Sequence, residues 1–233
     1  MADRDQSAIR SLVGRLPDPA LDPATTALVV IDLQRLDADP EGAHAVRARE
    51  HGVWDDFAEY FGRVGDVVVP AVAALAEDLH AAGGTVAWVR CQATEPDASD
   101  TGARFRAFDI VIPPGDPQAE FLAALPIADG DLIVDKTTAS PFNSTDLTAR
   151  LRERGVTAVL VAGVVTSGCV ESTVREACDL DFEVVLIEDG CADRRPAAHA
   201  DAIARLDGNF AIAWTSETTR DRLRGAATTS KEN

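Results

Sequence analysis

Long apolar runs are missing from this sequence: nothing in it approaches the ~18 consecutive apolar residues of a membrane-spanning helix. The opening stretch, MADRDQSAIRSLVGRLPDP, carries charges where an export signal would need an apolar centre. The expectation is a cytoplasmic chain with no membrane partner. Basic charge is also scarce, with Lys+Arg at 22 against Asp+Glu at 39 and a net charge of −17. A surface of that sign repels phosphate backbones, so a nucleic-acid partner is not expected, and the acidity reads as solubility. The four cysteines, Cys91, Cys169, Cys178 and Cys191, have neither CxxC nor metal-type spacing. In a cytosolic chain they are expected to be reduced thiols rather than a disulfide framework.

What remains is ordinary globular material, 46% hydrophobic and 26% charged, and 233 residues suffice for one large core. Apolar runs alternate with segments of helical spacing. TALVVIDLQ (26–34), TVAWVRCQ (85–92), DLIVDK (131–136), TAVLVAGVV (157–165), FEVVLIEDGCA (182–192) and AIAWTS (211–216) read as strands. Between them, 64–84 reads as a helix closed by Gly83-Gly84, 116–127 as a short helix, and 143–155 as a helix with cap residues at its start. The segments 169–181 and 195–210 also read as helices, the latter with Pro196 in its first turn.

Strands apolar on both faces belong in a parallel sheet covered by helices on both sides. The reading is a three-layer α/β/α sandwich with a mainly parallel sheet of about six strands. It spans residues 21–216, with 1–20 an N-terminal extension and 217–233 a tail expected to be partly disordered. Segments 35–63 and 93–115 show no clear periodicity and are candidate lids over a site.

In an open parallel sheet, ligands bind beyond the carboxyl ends of the strands. Three reactive side chains fall on that rim: Asp32 after the first strand, Lys136 at the end of DLIVDK, and Cys169 after VLVAGVV. Each has a plain alternative, Asp32 as a cap, Lys136 as a solvated surface charge and Cys169 as a small buried hydrophobe. Their shared location favours chemistry. A thiol with a free pKa of about 8.5 needs help to ionise, and a helix start and an ammonium both supply it. Asp32 can then take the proton, and the helix-start N–H groups can face an oxyanion. Cys91 ends a strand on the same rim and reads as packing, with pocket lining as the alternative. Cys178 and Cys191 read as structural, and Trp54, Phe57 and Tyr60 as core, with an aromatic wall or a subunit contact as the alternative.

With these residues in place, the sequence resembles the isochorismatase-like cysteine hydrolase superfamily, which includes nicotinamidases, N-carbamoylsarcosine amidases and related amidohydrolases. The matching blocks are ALVVIDLQ, VDKTTASPFNSTDL and GVVTSGCVESTVREACDLDFEVVLIEDGCAD, with RPAAHADAIARL as a looser match. The resemblance implies Asp32, Lys136 and Cys169 as a triad. It also implies a non-proline cis peptide at Val164–Val165 and an oxyanion hole from the N–H groups of Val165 and Cys169. Gln34, Phe142, Thr166 and Arg194 become candidate substrate contacts, with Arg194 as a carboxylate grip. A homo-oligomer, dimer or tetramer, is implied as well.

Nicotinamidases carry a metal-binding Asp-x-His pair after the second strand. Here that region reads VRCQATEPDASDTG, and His44, His51, His80 and His199 lie elsewhere. No metal and no cofactor are therefore expected. SPF stands where relatives often have Ala-Phe, so Pro141 departs from the pattern beside Phe142. Three functions follow: hydrolysis of a C–N bond in a small amide, carbamoyl or ureido compound through a thioester; hydrolysis of an isochorismate-type vinyl ether without the thiol; or a non-catalytic or redox scaffold.

Overall fold

The computed structural model describes residues 14–229. Six strands, β1 (Thr26–Ile31), β2 (Thr85–Cys91), β3 (Leu132–Lys136), β4 (Ala158–Val164), β5 (Glu183–Ala192) and β6 (Ile212–Trp214), form one sheet in the order β3-β2-β1-β4-β5-β6. Every pairing is parallel. The order reverses direction between β1 and β4, and the crevice at such a reversal is where an open α/β sheet takes its ligands.

Alternate side chains of each strand enter opposite layers of core, which is why the strands read as unbroken apolar runs. Leu28, Val30, Trp88, Leu160 and Ile187 pack on one face, against Val72, Leu75 and Leu79. Val29, Ile31, Val89, Val161 and Leu186 pack on the other, against Leu147, Leu151, Val170 and Val174. The strands approach closely at Gly163, whose φ of +116° favours glycine and where a methyl group would drive into the carbonyl of Ile31.

The connecting segments supply ten helices among the described residues. These are α1 (Arg35–Ala38), α2 (Ala43–Glu50), α3 (Trp54–Arg63), α4 (Val69–Ala82) and α5 (Ala103–Ala107) in the first half. They are followed by α6 (Pro141–Ser144), α7 (Leu147–Glu153), α8 (Glu171–Asp179), α9 (Pro196–Leu206) and α10 (Ser216–Thr229). A π-type turn at Val64–Val68 fuses α3 to α4, and α4 closes on Gly83 at φ +75°, a left-handed stop that glycine adopts without cost. Pro196 occupies the first turn of α9, where its missing N–H breaks no helical bond.

Several expectations need correction. Residues 116–127 form no helix beyond the single turn Pro117–Ala119. The chain there is drawn out by pairing: Arg35 N–H donates to Glu120, Leu122 N–H donates to Leu33, and Phe121 bridges Gln34. The helix expected over 143–155 is split, because Thr145 turns back and its hydroxyl accepts from Leu147 N–H. The 35–63 segment is not a loop but the helices α1, α2 and α3. Segment 217–233, expected as an appendage, continues α10 through Thr229, with Thr219 and Leu223 buried. Arg220 and Arg224 tie α10 to Asp78 of α4. Residues 230–233, and most of the expected N-terminal extension, lie outside the described residues.

Candidate active site

Parallel strands of similar length end on one rim, and the sequence places a reactive group at four of those ends. Cys91 and Lys136 are register partners on β2 and β3. Asp32 follows β1 with a left-handed backbone (φ 54°), held by its N–H to the carbonyl of Val89 at 2.9 Å. Cys169 sits in the turn Thr166–Val170 between β4 and α8. The peptide Val164–Val165 just before that turn is cis. Asp193 anchors the turn, its carboxylate accepting from the N–H and hydroxyl of Ser167 at 2.7 and 2.6 Å.

Lys136 Nζ is the hub. It lies 3.0 Å from Asp32 Oδ2, 3.1 Å from Cys91 Sγ, 3.2 Å from the carbonyl of Thr138 and 3.5 Å from Cys169 Sγ. The Phe105 ring centroid is 4.9 Å away, closing the ammonium's remaining side with an aromatic face. The Lys136 side chain is wholly buried, so its charge is answered only by these groups.

Burial and proximity push the three ionisable groups apart. Burial raises the Asp32 carboxyl well above the ordinary carboxylate range, more than the Lys136 ammonium lowers it. Burial works against the Lys136 charge, but Asp32 and the two thiols outweigh it and raise the ammonium. The Cys169 thiol is pulled well below its usual value, first by a hydrogen bond from Cys91, then by Lys136 and Asp32 against the opposing effect of burial. A lowered thiol, a raised ammonium and a raised carboxyl thus meet in one buried cluster, the kind of perturbation that suits covalent catalysis. Cys191, by contrast, is pushed up to about 12 by burial and is an inert thiol.

Asp32, Cys91 and Cys169 line a cavity of about 350 Å³, with Lys136 beneath them. Its outer wall comes from α1–α3 and from residues 104–110, the two segments that lack periodicity in the sequence. Among the described residues, no group of three or more His, Cys, Asp or Glu side chains is placed to hold a metal ion.

Asp32, Lys136 and Cys169 are brought together as the sequence expects, while the candidate substrate contacts fare differently. Val165 lines the cavity. Gln34 lines it too, but its amide is spent on the chain. It accepts from Cys91 N–H at 2.6 Å and donates to the carbonyls of Cys91 and Gln118 at 3.1 and 3.0 Å. Thr166 is buried with its hydroxyl 2.8 Å from His199 Nδ1, and Phe142 stacks on Phe182; neither lines the cavity. Arg194 reaches the cavity but is held by Asp37 at 2.9 and 3.2 Å. Cys91, read from the sequence as packing, belongs to the reactive cluster. The signal available for it was its position, opposite Lys136 at the same strand end.

Comparison with known proteins shows the family and the fold. Residues 26–218 match the Isochorismatase domain family. The ureidoacrylate amidohydrolase of Methylobacterium radiotolerans is 28% identical over 226 residues, covering 86% of this chain and 80% of that protein. The maleamate amidohydrolase of Pseudomonas putida is 28% identical over 113 residues, 48% of this chain and 53% of that one. Among solved structures, a cysteine hydrolase from Pseudomonas syringae superposes with a TM-score of 0.77 at 25% identity, covering 92% of this chain and 99% of that one.

Proposed function

The chain belongs to the isochorismatase domain family, and from that premise we propose that it is a cysteine-dependent amidohydrolase, cleaving a C–N bond of a small amide, carbamoyl or ureido compound through a thioester. The observation that carries the reading is the single ammonium of Lys136, within 3.5 Å of Cys169 Sγ and 3.0 Å of Asp32 Oδ2, with both partners lining the cavity. Relatives named as ureidoacrylate and maleamate amidohydrolases support the bond type.

In this mechanism the Cys169 proton has already passed to Asp32. The thiolate attacks the carbonyl carbon, and the new oxyanion faces the N–H groups of Val165 and Cys169. Asp32 gives its proton to the departing nitrogen as the C–N bond breaks, releasing ammonia or an amine. Water then attacks the thioester while Asp32 accepts its proton, and collapse expels the Cys169 thiolate. The cycle returns Asp32 protonated and Cys169 ionised. Lys136 keeps one positive charge beside both groups throughout, so the proton moves without an isolated buried charge.

Replacing Cys169 with alanine should abolish amide hydrolysis, and rapid acid quench of the native protein with substrate should give an intact mass raised by one acyl group. Full activity in Cys169→Ala would overturn the proposal and point to hydrolysis without the thiol, as in vinyl ether cleavage.

A further inference from the structure

Arginine gathers around the cavity of a chain whose net charge is −17. Arg47, Arg104 and Arg194 all line it. Two of these charges are already answered: Arg194 by Asp37, and Arg47 by Asp109 at 2.6 Å. Arg104 has no carboxylate within ion-pair distance among the described residues. Its guanidinium rests instead 5.2 Å from the ring centroid of Phe108, a side chain that is 60% exposed.

The backbone fixes where that free charge stands. Helix α5 starts at Gly102, whose N–H donates to the carbonyl of Thr137, next to Lys136. A side chain at residue 102 would collide with that same carbonyl. Phe105 is buried and faces the Lys136 ammonium. Arg104, its immediate neighbour, is thus held at a set remove from the reacting sulfur rather than on a free loop. The cavity's lining is largely apolar, with Val53, Phe57, Phe105, Phe108 and Ile110 beside the polar His44 and His51. An apolar chamber with a few convergent polar groups is the usual form of a small-molecule site.

We propose that Arg104 is the specificity-determining residue of this site, and that the substrate is an amphipathic anion. Its carbonyl sits at Cys169, an apolar body lies along the phenylalanines, and a carboxylate reaches the Arg104 guanidinium. This rests on the reading of the cavity as the amide-cleaving site, and it moves the carboxylate grip from Arg194, whose charge Asp37 has taken, to Arg104. A guanidinium without a carboxylate partner can offer two parallel N–H donors to a planar anion. The phenylalanines explain why a short acid alone would leave most of the chamber unfilled.

Binding tests this without requiring turnover. Cys169 is alkylated with N-ethylmaleimide, followed by peptide mass, in the presence of 3-phenylpropionate, acetate or the uncharged 3-phenylpropanol. The phenyl acid should protect Cys169 at a lower concentration than either of the others. Arg104→Gln should raise its half-protecting concentration about tenfold, the worth of one charge-assisted hydrogen bond, and leave that of the alcohol unchanged. Equal protection by acid and alcohol, protection by acetate as strong as by the phenyl acid, or an Arg104→Gln effect that is absent or the same for acid and alcohol would overturn the assignment. Failure of every amide to turn over would count against the hydrolase reading alone, since protection reads occupancy and not chemistry.

Discussion

Gln34 grips the peptide backbone of Cys91 from both sides, its side-chain oxygen accepting from the N–H and its nitrogen donating to the carbonyl. This joins the end of β1 to the end of β2 in the lining of the cavity. Gln34→Leu keeps the volume and removes both bonds. A buried N–H or C=O left unpaired costs about 1–3 kcal/mol, so the urea midpoint should fall. Because Asp32 and Cys91 shift together, kcat should drop more than KM rises. Gln34→Glu, which can still accept from Cys91 N–H, should recover part of the stability.

Cys91 acts on Cys169 through its thiol. It lies 3.1 Å from Lys136 Nζ and donates to Asp32 Oδ1 at 3.5 Å, and its nearness is the first influence lowering the Cys169 pKa. In Cys91→Ala the rate of Cys169 alkylation, followed from about pH 5 to 9, should rise at higher pH than in the native protein. An unchanged profile would show that Lys136 alone sets the thiolate.

The pair Asp37–Arg194 makes stability depend on acid. Burial alone would raise the Asp37 carboxyl, but Arg194 and His44 outweigh it and hold it far below the usual carboxylate range. A carboxyl lowered in the folded state stabilises the fold above its unfolded pKa of about 3.9, and that contribution is lost as pH falls toward the folded value. Arg194→Gln should therefore be destabilising near neutral pH. The gap between variant and native urea midpoints should narrow steadily below about pH 4.

The sheet was legible because its strands are apolar on both faces, and the three-residue cluster was legible because reactive side chains mark strand ends. What the sequence hid was settled by partners distant along the chain. Phe121 and Leu122 look helical beside Ala123 and Ala124, yet the backbone of residues 33–35 claims them for an extended pairing. Helix α10 is tied by Arg220 and Arg224 to Asp78 and by Ser216 to Asp189, attachments no hydropathy pattern announces. The family resemblance implied Gln34 and Thr166 as substrate contacts, but their polar atoms are engaged by Cys91 and His199. Arg104 lay within 93–115, a candidate lid by its lack of periodicity, but nothing in that stretch distinguished it from the neighbouring Arg106.

Phe105 belongs both to the chamber's wall and to the surroundings of the Lys136 ammonium. Attempts to redesign this protein for bulkier compounds by trimming that ring would disturb the reactive cluster along with the space around it. Variation that keeps reactivity intact has an outlet one turn away, at Phe108, which is largely open to solvent and does not reach the lysine's cluster. A library aimed at new selectivity should diversify Phe108 first and leave Phe105 alone.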